Sequence, residues 1–206
     1  MFAEGSRDSG LHDGCWAHAL MAAINIPEVP RAALHYQAQL TREARYAFGM
    51  DAPIAVLAGQ VHQESAWNPN AKSPYASGLA QFTPGTATWI SGINKSLGPA
   101  APLDPAWALR AMVTYDKLLH DGEYRYDSEC DRWLFSLSDY NGGNGWRISR
   151  QAHSSKPGSW AVTGYINPGI SQQSQYENSS YGPRIIYTLQ PIYEGWGTTT
   201  ICLAKG

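Results

Sequence analysis

The sequence predicts a mainly α-helical fold with short, irregular β segments. Three observations predict it. Helix-start signals recur along the chain, at Asp51, Thr83-Pro84, Asp104-Pro105 and Ser128. The segments behind them carry apolar residues at helical spacing. The stretches between are rich in Gly, Pro and Ser, so only short strands fit.

Residues 1–30 are expected to form an N-terminal arm or extension ahead of a domain over 31–206. The first 14 residues are polar and Gly-rich. A helix is predicted after Pro30, through Ala33, Leu34, Leu40, Ala44 and Phe48, with Gly49 ending it. The next is expected to start at Asp51 as cap, with Pro53 in its first turn. Its members Ile54, Leu57, Ala58 and Val61 make an apolar stripe, and Glu64 follows close to that face. Thr83 caps a helix opened by Pro84 and running through Ala87, Trp89 and Ile90. Asp104-Pro105 repeats the signal for a helix from Trp107 to Leu119, stopped at Gly122. Ser128 and Asp131 read as a capping box for a helix through Trp133, Leu134 and Leu137 to Tyr140. A short helix is expected after Gly145. Residues 154–175 read as a long loop, with a short strand near Trp160 to Tyr165. A last helical stretch covers 176–194, bent or interrupted at Pro183.

Composition narrows the function. The chain has 206 residues, 43 % hydrophobic and 16 % charged, which suits one globular domain with a real core. A net charge of −2 leaves no basic excess for nucleic acid. Aromatics reach 12 %, mostly Tyr and Trp, whose flat faces suit sugar rings as well as cores. No apolar run is long enough to span a bilayer. The patch Trp16 to Ile26, broken by His18 and Asn25, is a poor secretion signal, so export uses another route or a signal already removed.

Cys15, Cys130 and Cys202 lie far apart with no CxxC, against a structural zinc site. A Cys130–Cys202 disulfide and free thiols both stay open. The histidines, His62 included, show no metal-ligand spacing, and Ser65 lacks a His-Asp pattern. No metal or organic cofactor is implied.

The chemistry centres on Glu64. It sits at the end of an apolar helix and is followed by a Gly-, Pro- and Ser-rich turn. An acid held against apolar surface resists ionising and can deliver a proton near neutral pH. That is what glycosidic bond cleavage requires.

The segment Glu64-Ser65, Trp67-Asn68-Pro69, Ser73-Pro74, Ser77-Gly78-Leu79, Gln81 and Pro84-Gly85-Thr86-Ala87 resembles the soluble lytic transglycosylase catalytic domain, glycoside hydrolase family 23. The block Tyr140-Asn141-Gly142-Gly143-Asn144-Gly145 and the segment Glu177 to Tyr187 are similar to later family segments, in family order. The resemblance implies a lysozyme-like (goose-type lysozyme or lytic transglycosylase) fold with a substrate groove. It implies cleavage of peptidoglycan glycan strands between N-acetylmuramic acid and N-acetylglucosamine. Glu64 matches the single acid/base, and Tyr140 the tyrosine whose hydroxyl reaches it. Ser73, Gln81 and Tyr181 match substrate-contacting positions, Asn141 serves either the turn or a substrate amide, and Gly78 either lets backbone approach sugar closely or is a plain turn glycine. The third block departs from the pattern at Ser179-Ser180 and Gly182-Pro183, which weakens the assignment of Tyr181.

Two other readings stand beside this one. A hydrolytic goose-type-like lysozyme would need an aspartate to position water across the groove, and no Asp follows Glu64 before Asp104. A wall-opening component of a secretion, conjugation or phage assembly would dock a partner through the termini. The expected state is a monomer acting in the periplasm or cell wall, with a phage or mobile-element origin fitting the compact chain.

Overall fold

Among the residues that the computed structural model describes, 28–122 and 124–202, the chain is mostly helical and contains no extended strand. Its β structure is two isolated antiparallel bridges, Lys72 with Ser77 and Ser77 with Phe82. The arm expected over 1–30 lies outside the described residues except for 28–30.

The helix predicted after Pro30 is split. α1 (Arg31–Leu34) ends in a turn at His35 and Tyr36, and α2 (Gln37–Phe48) follows, closed by Gly49 at φ 83°. α3 (Ile54–Ser65) is not capped by Asp51. Pro53 occupies the cap position outside the helix, at ψ 64°, and offers no side-chain bond. The backbone bond from Ile54 N to Ala52 O takes up one of the free donors instead.

Local cap chemistry governs the next three helices, as predicted. Thr83 Oγ1 accepts from Thr86 N ahead of α4 (Pro84–Ile93). Asp104 Oδ1 accepts from Ala106 N and Trp107 N ahead of α5 (Pro105–His120). Ser128 Oγ accepts from Asp131 N ahead of α6 (Glu129–Gly142), which runs past Tyr140. α7 (Asn144–Ala152) begins immediately after Gly143, two residues before the predicted start.

The expected loop over 154–175 is partly helical. Trp160 to Thr163 form a short helix, α8 (Trp160–Thr163), in place of the expected strand. Its start is held by Trp160 N donating to Asp131 Oδ1 at 2.8 Å. α9 (Gln172–Arg184) starts earlier than predicted because Ser171 Oγ accepts from Ser174 N. Pro183 does not break it. The chain widens into a π turn over Ile185–Leu189 and then a 3-10 turn over Gln190–Trp196.

α3 is the centre of the fold. Every residue from Ile54 to Val61 is buried, not one stripe. One side packs with α2, α5 and the aromatic group Trp67, Tyr193 and Trp196; Val56 joins the other, formed by α6, Tyr181 and Ile185, Ile186 and Leu189. Gly59 allows this, since a Cβ there would meet Gln190 N at 3.2 Å and Leu189 Cβ at 3.3 Å. The C-terminal end is fixed twice. A disulfide joins Cys130 to Cys202, and the Gln190 amide bonds both Ile201 N and Ile201 O. No helix of the described residues is long and apolar enough to cross a membrane.

Candidate active site

Glu64 lies in the last turn of α3, where the chain reverses sharply. Ala66 at φ 48° and Trp67 at φ 66° both adopt the left-handed conformation, which costs a non-glycine residue about 1–3 kcal/mol. Packing holds the reversal. Trp67 is fully buried, and its Nε1 donates to Tyr193 OH at 2.7 Å. That phenol lies 2.8 Å from His62 Nδ1. His62 therefore serves the turn and not the acid, and burial lowers its pKa, with the charge of Arg184 acting the same way.

Glu64 itself is half-buried at the floor of an open groove. Oε1 accepts a hydrogen bond from Tyr181 OH. Among the described residues Oε2 has no hydrogen-bond partner, and Glu64 lines both hollows of the groove. Burial raises the pKa to about 7, and the Tyr181 hydrogen bond partly offsets the rise.

Two hollows of about 400 and 460 Å³ meet at Glu64, Asn141 and Glu177. The first is walled by the 73–83 loop, Thr86, Tyr115 and Tyr140; the second by one face of α9. A third hollow of about 470 Å³, beside Trp89 and Arg147, adjoins through Thr86 and Tyr115 without reaching the acid. Through these shared residues the three hollows adjoin as one trough. Trp89 is 46 % exposed there, edge-on to Tyr115.

The structure redistributes the predicted roles. Tyr140 lines the groove beside Glu64, but its hydroxyl donates to Ala80 O at 2.8 Å, anchoring the loop. The phenol bonded to the acid is Tyr181, from the segment that matched its pattern least. Gly78 is buried and lines none of these hollows. Its φ is 81°, and a side chain at this position would collide with Pro102 O, so protein packing, not sugar, requires glycine. Ser73 lines the groove and also ties its own turn, accepting from Ala76 N at 3.0 Å. Gln81, at φ 45°, lines the groove and braces the loop through Ala71 O and Gly78 O. Asn141 is exposed between the hollows; its Oδ1 accepts from Asn178 Nδ2 at 2.9 Å.

Support for Asn141 and Tyr181 comes from below. Arg150, fully buried, bonds Asn178 Oδ1, Ser138 Oγ, Ile166 O and Gln175 Oε1. This joins α6, α7 and α9 under the groove. Asp139, next to Tyr140, is buried and paired with Arg147 at 2.6 Å. Burial raises its pKa to about 6 against the pull of Arg147.

Sequence reasoning found Tyr181 on the second wall but missed the rest of it. Gln173, Tyr176, Glu177, Ser180, Tyr181 and Arg184 recur at helical spacing and all line the second hollow. A polar stripe at that period was the available signal. Among the described residues, no group of three metal-binding side chains comes together.

A helical body with one half-buried carboxylate opening on a long trough defines a lysozyme-like domain. The chain belongs to the transglycosylase SLT domain family, whose model matches residues 40–162. It is 36 % identical over 105 residues to the soluble lytic murein transglycosylase of Escherichia coli, covering 49 % of this chain and 15 % of that protein. It is 30 % identical over 149 residues to the membrane-bound lytic murein transglycosylase F of Ectopseudomonas mendocina, covering 70 % of this chain and 29 % of that one. The crystal structure of the 70 kDa soluble lytic transglycosylase from Escherichia coli superposes with a TM-score of 0.59 at 26 % identity, over 78 % of this chain and 24 % of that chain. A complex of the 70 kDa enzyme with bulgecin A matches at TM-score 0.59 and 25 % identity, over 85 % of this chain and 26 % of that chain. The chain thus spans less than a third of these relatives.

Proposed function

We propose that this chain is a lytic transglycosylase that cuts murein glycan between N-acetylmuramic acid and N-acetylglucosamine. The observation that carries the reading is Glu64: half-buried, lining the trough, with its pKa raised by burial to about 7. Protonated, it donates to the glycosidic oxygen as that bond breaks. It then takes the proton from the C6 hydroxyl of the muramic acid as that oxygen bonds to the anomeric carbon. The product is a 1,6-anhydromuramic acid end, and no water is consumed. The nucleophile is already attached to the reacting sugar, so its approach costs little entropy.

Tyr181 orients the acid, while Tyr140, Ser73 and Gln81 shape the adjoining wall. Asn141 lines both hollows beside Glu64, and its amide suits an N-acetyl carbonyl. Residues 31–206 form the working unit, acting as a monomer at the wall. An assembly partner would dock through the termini, residues 1–30 and 196–206.

Mass spectrometry of products from purified sacculi tests this. Anhydro ends are expected, and Glu64→Gln should lose more than about a thousandfold in rate. Reducing ends would instead give the hydrolytic reading, with Glu177 as the groove carboxylate positioning water. Retained activity in Glu64→Gln would remove both.

A further inference from the structure

α3 and α5 meet one helical turn below Glu64 through an amide and an acid. Gln60 is fully buried and Asp116 is 1 % exposed. Gln60 Nε2 donates to Asp116 Oδ1 at 3.1 Å. The other two oxygens, Gln60 Oε1 and Asp116 Oδ2, are sealed from solvent, and neither has a hydrogen-bond partner. Among the described residues no cation pairs with Asp116.

An ionised carboxylate only accepts hydrogen bonds. Here it would be a buried charge met by one neutral donor, an arrangement proteins avoid. A proton on the carboxyl removes the charge and supplies the missing donor. Turning the Gln60 amide over does not change this, because its oxygen would then face Oδ1 and again need a proton between them.

The neighbours agree. Glu64 from α3 is the acid whose negative charge would oppose one at Asp116, and the nearby phenols Tyr115, Tyr140 and Tyr181, all with raised pKa values, supply no positive charge to hold it. α2 offers Glu43, held by Arg42 and Arg110, and α6 offers Asp139, held by Arg147. α4 has no ionisable side chain, and Lys95 beyond it is exposed. Burial pushes the Asp116 carboxyl well above the usual range; the Gln60 bond opposes this and Glu64 adds to it.

We propose that Asp116 is a positioning residue carried as the neutral acid, its O–H bonded to Gln60 so that α5 is clamped to α3 beneath Glu64 and no second charge disturbs that site. The kinetic part rests on the reading of Glu64 as the acid/base; the protonation state does not.

Asp116→Asn matches the neutral acid, with an N–H in place of the O–H. In wild type the folded chain keeps a proton that the unfolded chain releases above pH 3.8 or so. Wild-type stability therefore falls as pH rises above that point, and the Asn variant lacks this fall. In urea titrations the variant's folded-to-unfolded ratio should gain on wild type by roughly tenfold per pH unit above about pH 4, until the folded carboxyl itself ionises. A constant offset, or a variant that loses ground as pH rises, would overturn the proposal. Should the variant not fold, infrared spectroscopy decides: a Glu64→Gln chain at pH 8 keeps a protonated-carboxyl stretch, and its absence refutes the neutral acid.

On murein, Asp116→Ala should lower kcat at least tenfold and Asp116→Asn should restore it, with the alkaline limb of the pH profile unmoved. A limb shifted to lower pH in Asp116→Asn would show that Asp116 had been charged. Absence of any murein cleavage by wild type would sink the proposed reaction and leave the stability result standing.

Discussion

Removing the Tyr181 hydroxyl tests the electrostatics of the site directly. Tyr181→Phe keeps the ring, which is buried against α6 and the π turn, and deletes one donor to Glu64. A hydrogen bond to a charged group is worth about 1.5–3 kcal/mol, and 1.36 kcal/mol corresponds to one pH unit of pKa. The protonated acid keeps part of that bond in wild type, so the lower end applies. The Glu64 pKa should climb from about 7 to roughly 8. The general acid is active while protonated, so kcat/KM falls as pH rises through this value. The variant's alkaline limb should move up by roughly one pH unit. At pH 8 about a tenth of wild-type Glu64 holds its proton against about half in the variant, a roughly fivefold relative gain that offsets part of the lost orientation. The assay is the pH dependence of anhydro-product release from sacculi. Tyr140→Phe is the control: its hydroxyl bonds Ala80 O, so the rate drops and the limb stays. If the limb moves in Tyr140→Phe and stays in Tyr181→Phe, the assignment of the two phenols is wrong.

Stability should report the same acid. The Glu64 pKa is raised from 4.5 to about 7 on folding, so its contribution is present below pH 4.5 and is lost as pH rises towards 7. Glu64→Gln should match wild type near pH 4 and exceed it by up to about 3 kcal/mol at pH 8, read from urea midpoints. Gly78→Ala should lose more than about 3 kcal/mol, because its methyl would collide with Pro102 O in a left-handed backbone; an unchanged melting temperature would contradict this. Replacing both Cys130 and Cys202 by Ser opens a link across 72 residues and should cost about 2–5 kcal/mol in chemical denaturation, with no change in the pH profile.

Features controlled by neighbouring residues were legible in the sequence. Thr83, Asp104 and Ser128 cap helices through their own backbone a few residues on, and the sequence marks those starts. Glu64 was legible because an apolar helix ending in a carboxylate implies a raised pKa before any contact is known. Pro53 misled because Asp51 offered a cap that the backbone turn at Ala52 made unnecessary. The two tyrosines were exchanged because both are phenols near the same acid, and only the relative placement of α6 and α9 decides which reaches it. α8 depends on Asp131, distant in sequence, to hold its first N–H. The Gln60 and Asp116 pair left no trace in either local stretch, since each alone reads as an ordinary polar helix residue.

The family match ends at residue 162, while the phenol bonded to Glu64 sits at 181 and its helix lines the second hollow. A fragment trimmed to the recognisable span would therefore carry Glu64 with its hydrogen-bonded phenol and one bank of the channel cut away. Boundaries drawn by similarity and boundaries drawn by contacts part company in this protein, and any minimal fragment that keeps the whole groove has to reach as far as the crosslink at Cys202.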